Sequence, residues 1–150
     1  MTREIVEGAP KVSWRTFYLA TNINRPGTPL GGVPTAERMA EALERVTGAR
    51  CTSRWIWATH HHRVEGSGPM GTILASTDLI DIARADFVVI VPLTPTSRGA
   101  HVELGAALAL DKPTFLYSHK DRDPTAFDSL AVPVPPAWRE AIESAINGGA

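Results

Sequence analysis

Short unbroken apolar runs alternate along the chain with segments whose apolar residues recur at helical spacing. The clearest run is FVVIV at 87–91, rich in β-branched residues, which predicts a parallel strand covered on both faces. TFYLA at 16–20 and TFLY at 114–117 read as strands too, and so does TSRWIWA at 52–58. In that last stretch the alternation puts Trp55 and Trp57 on one face and Arg54 and Ile56 on the other. Helices are predicted between the strands. Residues 34–48 carry Met39, Leu43 and Val46 as an apolar stripe, with Thr35 as N-cap and Gly48 as the stop. Residues 71–84 draw their apolar side from Ile73, Leu74, Leu79, Ile80 and Ile82. Residues 101–110 are rich in Ala and Leu, and Asp111-Lys112-Pro113 ends that helix and launches the next strand. A last helix at 136–147 buries Trp138, Ala141, Ile142 and Ile146. This order predicts an α/β fold: a parallel sheet with helices on both faces and right-handed crossovers. The domain spans 16–150, after a flexible arm at 1–15 whose first residues are polar and irregular.

Composition narrows the function classes. At 150 residues, 43% hydrophobic and 21% charged, the chain reads as one soluble domain with a real core. A net charge of −1 gives no global pull towards a nucleic acid polymer or an anionic membrane. No apolar run approaches the ~20 residues that span a bilayer, and the N-terminus lacks a signal-peptide core. Cys51 is the single cysteine, which excludes an intramolecular disulfide and a thiolate metal cluster. A cytoplasmic enzyme or binding domain fits these totals.

Candidate chemistry gathers at the carboxyl ends of the strands, where open α/β sheets bind ligands. Glu103 opens a mostly apolar helix just after the central strand. One reading makes it a complement to the helix dipole; the other makes it functional. The loop TNINRPGTPLGGV at 21–33, which includes Thr21 and Asn22, is either a ligand-contacting loop or a plain connector. RVEGSGPM at 63–70 reads as a lid or an ordinary loop. His60, His61 and His62 are adjacent, and adjacent residues rarely converge on one metal ion, so a solvated or base-covering loop is the reading there. Asp81 reads as a solvated helix carboxylate, and Asp86 as a cap at the start of the central strand.

Asp78, ADFVV at 85–89, Ser97-Arg98-Gly99, VELGAALAL at 102–110 and Lys112-Pro113 together resemble the core of the nucleoside 2-deoxyribosyltransferase family. That family includes the 2'-deoxynucleoside 5'-monophosphate N-glycosidases and the pyrimidine-nucleotide hydrolases. The resemblance is strongest from Asp78 to Pro113 and extends over 16–117, where Tyr18-Leu19-Ala20 matches the family's opening strand. Thr21 stands where the family usually has Gly. The resemblance implies a Rossmann-like or flavodoxin-like sheet and a reaction at an N-glycosidic bond. Glu103 matches the family's nucleophile, and Asp78 its functional Asp one helix upstream. Tyr18, Thr21 and Asn22 would line the sugar or phosphate pocket.

Cleaving such a bond develops positive charge at C1' of the sugar, which a carboxylate can stabilise or attack. The leaving base needs a proton or hydrogen bonds, a role for Asp78 if its pKa is raised. Ser97 stands where transferases acting on free nucleosides carry Asp and the monophosphate N-glycosidases carry Ser. Ser97, Arg98 and the Gly99 N–H would attract a 5'-phosphate that an Asp would repel. The resemblance further implies a homodimer or larger assembly, with Asp128 or Ser129 of the late loop completing a neighbour's site. No cofactor and no metal are implied. The partner is a small nucleoside or nucleotide; attack by water would make a hydrolase, attack by a second base a transferase. A non-catalytic nucleotide-binding module on the same fold, or a hydrolase of NAD, are the competing readings.

Overall fold

A computed structural model describes residues 13–21, 33–56, 68–93, 98–118 and 126–148. Five strands form one parallel sheet: β1 (Thr16–Thr21), β2 (Arg50–Cys51), β3 (Phe87–Val91), β4 (Thr114–Leu116) and β5 (Val132–Pro133), in the order β2-β1-β3-β4-β5. Four long helices connect or follow them: α1 (Val33–Thr47), α2 (Gly68–Arg84), α3 (Arg98–Ala109) and α4 (Pro136–Ile146). The α/β reading with an all-parallel sheet therefore holds.

Strand parity sorts the helices onto two faces. Phe17, Phe87 and Phe115 point to one face, where Phe87 and Phe115 pack at a tilt against Trp138 of α4 at ring distances of 5.5 and 4.6 Å. On that side α1 packs along α4. Tyr18, the next residue along β1, points to the other face, against which α2 and α3 pack. Every residue of β3 is buried, as the continuous apolar run requires of a central parallel strand. Trp14 stacks on Phe87 at 5.2 Å, so the end of the N-terminal arm is tied to the core.

The second predicted strand is corrected. Only residues 50–51 pair with β1, and residues 54–56 are helical. Side chains replace the ladder there. Ser53 Oγ accepts the Leu19 N–H at 2.7 Å and donates to the Leu19 carbonyl at 3.1 Å, and the Trp55 indole donates to the same carbonyl at 2.9 Å. The edge of β1 is thus satisfied without a longer β2, and the chain is free to turn. Trp55 and Ile56 are both buried, so the alternation of faces does not apply.

Other boundaries shift by less. α1 begins at Val33, so Thr35 lies inside its first turn, where its hydroxyl accepts from Arg38 Nη2 at 3.1 Å. α2 begins at Gly68, which makes the end of the predicted lid helical; residues 57–67, including His60, His61 and His62, lie outside the described residues. The short edge strand β5 follows directly on the late segment that holds Asp128 and Ser129, and it carries Pro133 where an edge tolerates one. Asp86 does cap the sheet: its Oδ2 accepts the backbone N–H of Arg15 at 2.8 Å and of Thr16 at 3.0 Å.

α3 ends as its sequence predicts. Lys112 N–H donates to the Ala107 carbonyl and Asp111 N–H to that of Leu108, a Schellman turn with Asp111 at φ 54°.

Candidate active site

The chain reverses direction across the sheet between β1 and β3: from β1 it runs outward to β2, then returns to β3 on the other side. The carboxyl ends of those two strands form the switch point at which such sheets bind ligands. Thr21 closes β1 there, and its hydroxyl donates to the Val91 carbonyl at the end of β3, 2.8 Å away. That side chain is spent on the sheet, which leaves the Thr21 backbone at the rim.

Three polar side chains meet beneath this rim: Tyr18 from β1, Asp78 from α2 and Glu103 from α3. Tyr18 is fully buried. Asp78 and Glu103 are half-buried as residues, but Tyr18 Oη, Asp78 Oδ1 and Glu103 Oε2 are all sealed from solvent without a hydrogen-bond partner. The Tyr18 hydroxyl is close enough to both carboxylates to favour their charged forms, yet closes a well-aligned hydrogen bond with neither. No Lys or Arg among the described residues pairs with Glu103.

Helix α3 starts at Arg98, three residues earlier than its pattern suggests, so Glu103 stands in its second turn and not its first. This removes the dipole-complement reading, because that effect is confined to the first turn. The side chain instead runs back towards the helix start: a Cβ placed on Gly99 would lie 3.8 Å from Glu103 Oε1.

The three groups perturb one another. The Glu103 carboxyl is raised to about 8, above all by burial; the Tyr18 hydroxyl opposes the rise and the Asp78 charge adds to it. Burial likewise pushes Asp78 up to about 7; Tyr18 and Arg54 pull it down, and Asp81 pushes it up. Tyr18 is raised well above the ordinary phenol range, first by burial and then by Glu103 and Asp78, so it stays a protonated donor. The cluster therefore offers a carboxyl that is still protonated near neutrality, a second carboxylate beside it, and a fixed O–H.

Asp81 is not the solvated carboxylate of the sequence reading. It is 5% exposed and holds Arg54, whose Nη2 and Nε lie 2.7 and 2.9 Å from its Oδ1, while its Oδ2 accepts the Arg54 backbone N–H at 3.1 Å. This pair fastens the turn after β2 to α2 one helical turn from Asp78. A carboxylate at i+3 from Asp78, on the same face of the helix, was the available signal for it.

The remaining residues fall differently. Gly99 lies in the first turn of α3, beside Glu103. Arg98 is the first residue of α3, and its side chain lies outside the described residues, as do Asn22 and Ser97. Asp128 and Ser129 sit in a 3-10 turn (Ala126–Leu130) just before β5, at the far edge of the sheet, so one chain does not bring them to Tyr18, Asp78 and Glu103. Among the described residues no group of His, Cys, Asp and Glu is arranged to hold a metal ion. No helix among them is long and apolar enough to cross a membrane.

No family model matches the chain, and no curated protein does. Among solved structures, the solution structure of BlsM is similar, with a TM-score of 0.53 and 23% identity over 91% of each chain. That likeness runs nearly end to end and shows a shared architecture: a single α/β domain built on a parallel sheet.

Proposed function

We propose that the chain is an enzyme acting at the N-glycosidic bond of a (2'-deoxy)nucleoside or its 5'-monophosphate, with Glu103 as nucleophile and Asp78 as proton donor to the leaving base. The observation that carries this reading is the convergence of Tyr18, Asp78 and Glu103, each with a sealed polar atom that no neighbour satisfies. Buried polar groups are almost always paired, and exceptions mark groups held for a ligand or for chemistry. The raised pKa of Asp78 keeps a proton available near neutral pH, as a general acid needs. Glu103 holds its proton more tightly than Asp78, so the reactive form, with Glu103 ionised and Asp78 protonated, is the minor one in the free chain, and the positive charge that develops at C1' favours it. Tyr18 donates to whichever carboxylate carries the charge.

Substrate class rests on the resemblance at Ser97-Arg98-Gly99 and on the start of α3 at Arg98. Those N–H groups and the helix dipole suit a 5'-phosphate. The likeness of fold to BlsM agrees with the family resemblance. We further propose a homodimer in which Asp128 or Ser129 reaches the site of a neighbouring copy, since neither reaches the site of its own.

Chromatography of the products from deoxynucleoside monophosphates, free deoxynucleosides and NAD tests the reading. Base release from a monophosphate faster than from the free nucleoside supports it. Release of nicotinamide alone makes the chain an NAD hydrolase, and nucleotide binding without release of any base makes it a binding module.

A further inference from the structure

A second feature lies away from the switch point, beside the first residue of β1 and along β2. A cavity of about 450 Å³ opens there, lined by Thr16, Arg50, Arg54, Asp81 and Arg84 among others. That volume falls within the range of small-molecule sites, ~300–1,000 Å³. Three arginines and one aspartate line it, and Asp81 is already engaged by Arg54 at 2.7 Å; Glu44 lies beside it, but its Oε2 is taken by the Cys51 N–H at 3.1 Å. Asp86 is near through Thr16, but its Oδ2 is taken by the backbone N–H groups of Arg15 and Thr16. Arg50 and Arg84 are exposed and have no carboxylate partner among the described residues. The chain as a whole is slightly acidic, so this concentration of positive charge is local.

We propose that this cavity is a second anion site, which takes a small phosphorylated molecule through Arg50 and Arg84. Guanidinium groups pair with phosphate oxygens in bidentate fashion, and two of them around one cavity match the charge of a phosphate ester or diphosphate. Arg54, held by Asp81, forms the fixed wall. The site is independent of the reaction proposed above, because none of Tyr18, Asp78 and Glu103 lines it.

Calorimetric titration of the whole chain with inorganic pyrophosphate at low salt tests the proposal. A saturable binding event is expected that persists in Arg98→Gln and weakens as salt is added. The double variant Arg50→Gln/Arg84→Gln should weaken it by at least about tenfold. Arg98→Gln, which alters the other candidate phosphate contact, should leave it unchanged. Both altered arginines are exposed, so the fold should survive; amide shifts of the unaltered chain give a second measurement. Pyrophosphate should move the signals of Cys51, Thr52 and Arg84. No saturable binding in the millimolar range, binding that survives the double variant, or shifts confined to residues 98–103 would each overturn the site. Base-release activity enters none of these readouts, so either proposal can fail without the other.

Discussion

Glu103 is held at a cost. Burial keeps its folded pKa near 8, above the unfolded value of 4.5, so between those values the folded chain binds more protons than the unfolded chain. Stability therefore falls as pH rises through that window. Glu103→Gln removes the charge and should raise stability at pH 8 by about 1–3 kcal/mol while losing activity, with little effect near pH 4. Thermal unfolding at the two pH values checks this; equal effects at both would contradict it. Asp78 and Glu103 titrate as a coupled pair, so kcat/KM for base release should be bell-shaped, with limbs near 7 and 8. Tyr18→Phe removes a donor that lowers both pKa values, so both limbs should move to higher pH. A profile that stays in place would show that the hydroxyl does not act on the carboxylates. The three residue types were legible in the sequence, through the motif around 102–110 and the spacing to Asp78. Their meeting was not, because it depends on how α2 is rotated, and the buried Asp81 that fastens that helix through Arg54 reads in the sequence as a solvated helix carboxylate.

Long apolar elements were legible and short ones were not. FVVIV is a fully buried strand, and Met39 and Leu43 of the predicted stripe are buried, whereas Val46 is exposed, as are Leu79 and Ile80 of the predicted apolar side of α2. Residues 52–58 misled because their strand-like pattern was overruled by side-chain hydrogen bonds from Ser53 and Trp55 to Leu19. Such long-range partners leave no local signal. β5 escaped because two paired residues are too few to form a period. Ser53 should accordingly matter more than a loop serine. Ser53→Ala strands the buried N–H of Leu19, while the Trp55 indole still serves the carbonyl, and should cost about 1–3 kcal/mol. A lower urea midpoint at unchanged slope would show this; an unchanged midpoint would mean that β1 is held without it.

Across the whole molecule, α2 and α3 present Leu79, Ile80 and Val102 to solvent, with Val102 67% exposed. Leu79 and Val102 sit next to Asp78 and Glu103 in the sequence, and Ile80 lies two residues from Asp78, so these exposed apolar side chains border the candidate site. A second copy is expected to cover it. Light scattering after gel filtration should give a dimer mass, and Val102→Lys should give the monomer; a monomeric wild-type chain would contradict this. The overall architecture was readable from the alternation of strands and helices, and the likeness to BlsM carries the fold no further than that. The proposed function rests on one carboxylate. The most direct test is the rate of base release from a 2'-deoxynucleoside 5'-monophosphate by the wild-type chain and by Glu103→Ala, with circular dichroism to show that both are folded. We predict release by the first and a loss of at least about a thousandfold in the second; comparable rates from the two would contradict the assignment.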